Sequence, residues 1–374
     1  MSSNNKILGL IFSNIHDENI KALTEHRTMG SVLFGGRYRL IDFPLSAMSN
    51  SGITEVGVIT KSNYQSLLDH LGNGREWDLS RKNGGLHLLP PFSHTGSNLY
   101  RGRLEALYGV WEFVKRSDAE YILLSDCDIV ANMDYQAIID YHIKTGADIT
   151  CTYAKSIICD KDNTDATVFG VKEDGRIADV LVAPNLSGEC TISLNTYVMK
   201  KDLLENIVME SKPRDITDFE RGVLRAHFND YKIMGYAYDG YFSRIASVPA
   251  YFEANMALLN SDNRHALFVD GKPVYTKIRD NPPTKYGSKA NVKNSLIGDG
   301  CIINGTVENS VLFRGVKVGA GAVVKNSILM QDTAVGKKCE IDCVITDKNV
   351  DISDGRMLTG SKQFPVILDK GAKI

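Results

Sequence analysis

"NSVLFRGVKVGAGAVVKNSIL" (residues 309–329) carries the pattern that decides the architecture of the second half of the chain. Apolar residues fall six apart at Leu312, Val318 and Val324, and the Asn-Ser pair that opens the stretch recurs near its end. The pattern extends in both directions, with Leu296 and Ile302 before it and Leu329, Val335 and Ile341 after it. Asn294-Ser295, Asn309-Ser310, Asn326-Ser327 and Asp342-Cys343 recur at intervals of 15, 17 and 16 residues. Three six-residue faces per coil make a triangular parallel β-helix, each aliphatic side chain stacking on its counterpart one coil below. About four coils are predicted. An antiparallel sandwich would instead show strict alternation, hairpin turns and no period near 17. Because a short solenoid has open ends and flat sides, one of them is expected to be buried against another domain or subunit. Homo-oligomerisation of the chain alone is therefore an expectation.

Upstream the period changes. "ILGLIF" (7–12), "EVGVIT" (55–60), "AEYILLS" (119–125) and "ADITCTYA" (147–154) read as strands. Between them "YQSLLDHL", "LEALYGVWEFVKR" and "YQAIIDYHIK" place apolar residues at helical spacing. Such alternation predicts an α/β domain with a Rossmann-like, mostly parallel sheet covered by helices. Ligands of such sheets sit at the carboxyl ends of the strands. "FGVKEDGRIADVL" (169–181) adds a hairpin turn at Asp174-Gly175. "DGKPVYTKIRDNPPTKYGSKA" (270–290) is too rich in proline and glycine for a long helix. The division predicted is an α/β domain over 1–262, a linker over 263–290 and the solenoid over 291–374.

With 43 basic and 45 acidic side chains, the net charge of −2 gives no electrostatic case for nucleic acid or an anionic membrane. Seven cysteines, at 127, 151, 159, 190, 301, 339 and 343, form no C-x-x-C pair and leave an odd one over. That argues against both a disulfide framework and a zinc site, and for a reducing cytoplasm. "MSSNNKILGLIF" has one basic residue and too short an apolar run for an export signal.

"LFGGRYRLIDFPLSAMSNSGI" (33–53) resembles the ADP-glucose pyrophosphorylase (glucose-1-phosphate adenylyltransferase) family, where F-G-G-[KR]-[YF]-R-[LI]-I-D-F precedes L-S-x-x-x-N-S-G-I. Further matches follow in order: "YRGRLEALYG" (100–109), "ILLSDCDIVANMDY" (122–135), "ISLNTYVM" (192–199), "DFERGVL" (218–224) and "RIASVPAYFEANMALL" (244–259). The resemblance implies a GT-A-like nucleotidyltransferase domain followed by a left-handed β-helix of hexapeptide repeats. It also implies glycogen biosynthesis, by a reaction joining glucose-1-phosphate to the α-phosphate of ATP. In such chemistry the protein supplies mainly position and positive charge.

Matched residue by residue, the active family's L-A-G-G-x-G-x-R-L phosphate loop falls on "FSNIHDENI" (12–20). Its glycines become Asn14, Ile15 and Asp17, and its arginine becomes Asn19. Met29-Gly30 stands where the family has Lys-Pro, and Val182 and Ala183 replace the Glu-Lys of the sugar-phosphate motif. Of the two aspartates that hold Mg²⁺ in active members, one matches Asp128 and the other falls on Arg244. A guanidinium cannot enter the octahedral oxygen shell of Mg²⁺. No catalytic set is therefore expected to be intact, and no metal or other cofactor is expected. Arg244 is predicted to pair with the vestigial Asp128, within roughly 4 Å.

Arg101, Gly102 and Glu105 match positions beside the adenine site, and Ser193 and Asp218 match the sugar pocket; the alternative is that these residues only pack the cleft or cap helices. Arg37 matches a basic residue that helps bind anionic effectors, and Arg39 lies on the same side of an extended segment. The pattern of loss resembles the second, non-catalytic type of subunit in this family. The expected partners are then a catalytic pyrophosphorylase subunit, in a heterotetramer, and sugar-phosphate effectors. The competing readings are an active nucleotidyltransferase making ADP-glucose and a purely structural scaffold. An acyltransferase is disfavoured because such enzymes use a histidine on the solenoid, whereas the last histidine here is His265.

Overall fold

The structure is a computed structural model that describes residues 6–91, 100–158 and 165–374. Its first half is built on a nine-stranded sheet. The strands are β1 (Ile7–Phe12), β2 (Glu55–Ile59), β3 (Gly85–Leu89), β4 (Tyr121–Asp126), β5 (Ile149–Ile158), β6 (Thr167–Val171), β7 (Ile177–Val182), β8 (Gly188–Lys200) and β9 (Ile233–Ala237). In space they run β7-β6-β8-β4-β1-β2-β3, with β5 against β8 and β9 against β5. The four strands β4, β1, β2 and β3 are parallel, as the β-α alternation predicts. The long β8 lies antiparallel to β4, β5 and β6, so the sheet as a whole is mixed. It follows the β6–β7 hairpin, whose turn carries Gly175 at φ 84°.

β1 is buried on both faces: Ile11 joins one apolar cluster, while Leu8, Leu10 and Phe12 join another. Such two-sided burial is why "ILGLIF" reads as an unbroken apolar run. It also places the end of β1 beside the end of β4, through the register Phe12↔Asp126.

The second half is a left-handed parallel β-helix with three faces of five strands each. The count exceeds the four coils predicted, because the first coil opens at Lys285–Tyr286, inside the stretch assigned to a linker. The other end of that stretch is crossed by the helix Ser261–Leu267. The inward ladder is Ile303, Val318, Val335 and Ile352 on one face and Val307, Val324 and Ile341 on the next. Ile297 in the first coil and Ile303 in the second, rather than Leu296 and Ile302, stack on Leu312 and Val318. Neighbouring aliphatic residues satisfy the same six-residue spacing, and the inward choice is made by burial: Ile303 is buried, whereas Ile302 is exposed.

The Asn-Ser repeat has a structural cause. Asn294, Asn309 and Asn326 turn the corners in the left-handed region, at φ 41°, 48° and 44°. Asparagine tolerates that conformation better than most residues. The serines bridge coils, since Ser310 Oγ accepts from Ser327 N–H at 3.1 Å and Ser327 Oγ accepts from Val344 N–H at 3.1 Å. In the fourth repeat the corner is Cys343, at φ 52°, so the repeat slips one residue from the Asp342-Cys343 alignment.

The two halves share one apolar core in which Phe34, Leu40, Tyr251 and Phe252 meet Val311, Phe313, Ile328 and Met330. "FGG" forms the turn between short strands Leu33–Phe34 and Tyr38–Arg39, with Gly35 and Gly36 at φ 60° and 78°. Within this dry seam Arg27 Nη2 donates to both oxygens of Asp347, at 2.7 and 2.6 Å. Both side chains are almost wholly buried.

Removing one member of a buried ion pair leaves an uncompensated charge. Arg27→Ala is therefore expected to cost roughly 3–5 kcal/mol in urea unfolding. Arg27→Met with Asp347→Leu is expected to recover most of it, because no charge is then stranded. A loss from Arg27→Ala below about 1 kcal/mol, the range of exposed pairs, would remove the pair from the list of interdomain anchors.

Candidate functional site

The loop leaving β1 is closed by its own side chains. Asn14 Oδ1 accepts from Ser13 Oγ and from Lys61 N–H, both at 2.9 Å, while its Nδ2 donates to Asp17 Oδ2 at 2.7 Å. Asp17 Oδ1 accepts from Met29 N–H at 2.7 Å, and Gly30 N–H donates to Ser13 carbonyl at 3.1 Å. Met29 and Gly30 are thus fastened to the loop, and Met29 is buried. Burial pushes the Asp17 carboxyl up to about 6, against the hydrogen bonds that favour its charged form.

Beneath the loop lies a nest of charges. His16 Nδ1 is 2.8 Å from Asp165 Oδ2, and Nε2 is 2.8 Å from Asp126 Oδ2 and 3.8 Å from Asp128 Oδ2. Arg103 grips Asp126 with both terminal nitrogens, at 2.5 and 3.0 Å, and reaches Glu220 at 2.8 Å. Its guanidinium is 4.9 Å from the Phe12 ring centroid and 5.5 Å from that of Tyr197. Arg244 places Nη2 on Asp165 Oδ1 and Nε 3.8 Å from Asp128 Oδ2. Asn195 Nδ2 donates to Asp128 Oδ2 at 2.9 Å, and Asn19 Nδ2 to Asp165 Oδ2 at 2.5 Å.

Burial alone would lower the His16 pKa, but the carboxylates of Asp128, Asp126 and Asp165 hold it well above the ordinary value. Burial raises Asp128, with Asp126 and Asp165 adding to the effect while His16 and Arg244 oppose it. Asp126 is held below the ordinary range because Arg103 and His16 outweigh its burial. Arg244 therefore lies near Asp128, within the distance set out for it, and also hydrogen-bonds to Asp165. The resemblance implied a Mg²⁺ ion at these two positions. The residues do not fit it in that arrangement, because a guanidinium stands where the second carboxylate would be.

The other sequence-derived positions are dispersed. Arg101 pairs with Glu105 at 3.3 Å and with Asp215 on the rim of a cleft beside β1 and β2. A Cβ at Gly102 would collide with the Thr217 carbonyl, which accepts from Leu104 N–H at 3.0 Å. Ser193 is buried, with Oγ accepting from Asn195 N–H at 3.1 Å, and Asp218 Oδ1 caps Arg221 N–H at 2.7 Å. Val182 ends β7, and Ala183 takes the left-handed conformation at φ 49°. Sequence reasoning missed His16, Arg103, Asp126, Asp165, Asn195 and Glu220. Asp126, two residues before Asp128 at a strand end, was the one local signal.

Arg37 and Arg39 do not share a strand face as expected. Arg37 sits exposed in the glycine turn, while Arg39 is buried and donates to Ser66 carbonyl at 2.6 Å and Ser66 Oγ at 3.0 Å. They nevertheless line one pocket with Lys277, Arg279 and Arg314, at the seam between the two halves. Arg314 is 8 % exposed, and its Nε has no hydrogen-bond partner. Burial lowers Arg39 to about 10 despite Asp42. Burial, with Arg39, Arg27 and Arg279 adding to it, lowers Lys348 to about 7. Such crowding of cations is relieved by a bound anion.

The profile of the family described as "Nucleotidyl transferase" matches residues 18–261, and that of "GlmU-like, C-terminal hexapeptide" matches 282–363. The chain is 34 % identical over 369 residues to "Glycogen biosynthesis protein GlgD" of Bacillus subtilis (strain 168), covering 98 % of this chain and 97 % of that protein. It is 33 % identical over 340 residues to "Glucose-1-phosphate adenylyltransferase" of Clostridium perfringens (strain SM101 / Type A), covering 89 % and 86 %. A protein of the same name from Bacillus mycoides (strain KBAB4) is 31 % identical over 369 residues, covering 97 % of each. The chain belongs to the glucose-1-phosphate adenylyltransferase family of nucleotidyl transferases. Among the described residues no helix is long and apolar enough to cross a membrane.

Gly102 separates packing from ligand binding. Gly102→Ala is expected to destabilise the ligand-free chain by roughly 1–3 kcal/mol, the cost of overpacking against backbone. Arg101→Ala, whose pairs are exposed, is expected to leave the urea midpoint near its original value. Unchanged stability in Gly102→Ala would return that glycine to a ligand-binding role.

Proposed function

We propose that this chain is a GlgD-type regulatory subunit of a glucose-1-phosphate adenylyltransferase in bacterial glycogen biosynthesis, assembling with a catalytic subunit in a heterotetramer. The observation that carries the reading is the occupied phosphate region. A phosphate loop needs free backbone N–H groups and positive charge. Here Asp17 takes the Met29 N–H, and His16 is drawn into the three surrounding aspartates. Two of the cations beside it, Arg103 and Arg244, are already engaged by Asp126, Glu220 and Asp165. Mg-ATP would have to break these pairs before binding.

The seam pocket supports the regulatory half of the proposal. A sugar phosphate placed among Arg37, Arg39, Lys277, Arg279 and Arg314 would touch both halves of the chain at once. The buried Arg314 Nε is a donor without a partner, and a phosphate oxygen would satisfy it.

Coexpression with a catalytic subunit of the family tests the reading. A larger assembly is expected, with turnover and sugar-phosphate response that differ from those of the catalytic subunit alone. No change in size, turnover or response sinks the proposal. The isolated chain is expected to make no ADP-glucose, and Asn14→Gly with Asp17→Gly is expected not to restore synthesis, since Arg244 and Ala183 remain. Turnover by the isolated chain at the level of active members would favour the competing enzyme reading.

Lys348 does not line the effector pocket, but it interacts with the pocket's Arg39 and Arg279 and so gives anion binding there a pH signature. In the free protein it is charged below about 7 and neutral above. An anion favours the charged form, so binding above pH 7 takes up a proton and weakens by up to about tenfold per pH unit. Calorimetry with sugar mono- and bisphosphates is expected to show this fall between pH 7 and 9 in wild type, and a flatter profile in Lys348→Met. Arg314→Met is expected to weaken binding at every pH.

A further inference from the structure

Three candidate ligands converge under the loop that leaves β1: His16 Nε2, a carboxylate oxygen of Asp126 and one of Asp128, all within 4.8 Å of one another. We propose that they bind a divalent transition ion of the zinc class, which locks the loop shut. The ligand set differs from the two-aspartate Mg²⁺ arrangement, since it draws on His16 and Asp126 and leaves Arg244 outside.

Ligand atoms of a tetrahedral zinc site lie roughly 3.3 Å apart, given metal–ligand distances near 2.0–2.1 Å. His16 Nε2 is 2.8 Å from Asp126 Oδ2 and 3.8 Å from Asp128 Oδ2, so the two distances straddle that value. Shifts of about half an ångström would convert a hydrogen-bonded contact into a coordinating one.

An independent observation points to a missing ligand. Asp128 is 0 % exposed, yet its Oδ1 has no hydrogen-bond partner. Buried carboxylate oxygens are ordinarily satisfied, and an orphan calls for an ion or water. Asn195 donates to Oδ2, the oxygen 3.8 Å from His16 Nε2, at 2.9 Å, so the orphan is the other oxygen of the same carboxylate. The same Asn195 Nδ2 lies 3.5 Å from His16 Nε2, so it orients Asp128 from beside the three ligands without being one.

The surroundings have the form of a metal site's outer shell. Metal-binding histidines usually give their other ring N–H to a carboxylate, which fixes the tautomer and orients the ring. His16 Nδ1 does this with Asp165 at 2.8 Å, and Asp165 is steadied by Asn19 and Arg244. Arg103 orients Asp126 from behind. Charge points the same way: among the described residues, the carboxylates of Asp126, Asp128, Asp165 and Glu220 pair with the three cations His16, Arg103 and Arg244. A divalent ion that displaces the imidazolium proton adds one net positive charge and balances the fourth carboxylate. Imidazole with two carboxylates in a buried space suits zinc, whereas Mg²⁺ prefers six oxygens and retains waters.

The test uses the full chain, stripped with chelator and titrated with Zn²⁺, with Co²⁺ as a spectroscopic stand-in. One equivalent of Zn²⁺ is expected to bind, millimolar Mg²⁺ is expected not to displace it, and Co²⁺ is expected to give visible absorption of a four-coordinate centre. His16→Gln and Asp128→Asn are each expected to weaken Zn²⁺ binding at least tenfold. Because either variant could unfold, Zn²⁺ is also titrated into wild-type chain labelled with ¹⁵N-histidine, where one imidazole nitrogen is expected to shift to a metal-bound position. Zero stoichiometry, no imidazole shift, or unchanged affinity in folded His16→Gln overturns the site. None of these outcomes bears on assembly with a catalytic subunit, so this inference and the regulatory reading fail separately.

Discussion

The Arg27–Asp347 pair is the constraint on which the arrangement of the two halves turns. An apolar seam alone would tolerate sliding, because dispersion contacts between aliphatic side chains have little directional preference. A buried, charge-assisted contact from one guanidinium nitrogen to both carboxylate oxygens is directional. It sets the solenoid against the α/β domain at one register. Arg27 belongs to the segment that returns from the β1 loop, only two residues before Met29, whose N–H is held by Asp17. Asp347 is followed directly by Lys348, which feels the cations of the seam pocket. The closed loop, the interdomain pair and the cationic pocket are therefore mechanically contiguous.

That contiguity gives the regulatory reading a physical basis. An anion in the pocket would gather Arg39, Arg279 and Arg314 and relieve the repulsion that depresses Lys348. Lys348 Nζ and Arg27 repel each other, so a change in charge at Lys348 alters the field at the interdomain pair. The effect then reaches the loop through Arg27 to Met29, a path of three residues. Such a path couples sites only if the seam has two arrangements of similar free energy. The coexpression and calorimetry experiments measure whether it does.

Much of the fold was legible because burial imposes periodicity. The six-residue spacing on each solenoid face and the unbroken apolar run of β1 both record which side chains leave water. Where two neighbouring residues were equally apolar, as at Leu296-Ile297 and Ile302-Ile303, spacing could not choose the inward one. Cys343 at a corner was likewise invisible, because the left-handed conformation there is imposed by the coils stacked around it. The charged nest was the least legible part. His16 meets Asp126 across 110 residues and Asp165 across 149, and no local pattern encodes such meetings. The resemblance brought Arg244 near Asp128 but gave no reason to expect Asp165 as its hydrogen-bonding partner.

The absence of glycine from the β1 loop has consequences beyond lost backbone approach. Glycines would leave the loop's N–H groups turned outward and its interior without side chains. Asn14, His16, Asp17 and Asn19 fill that interior and bind it to β2, to the strand end at Asp126 and to Asp165. Each contact adds a polar group that must stay paired once buried, so the loop's polar side chains stand or fall together. A single substitution back toward glycine strands its partners rather than reopening a phosphate site. An ion at His16, Asp126 and Asp128 would add to that interdependence and complete the closure rather than prepare chemistry.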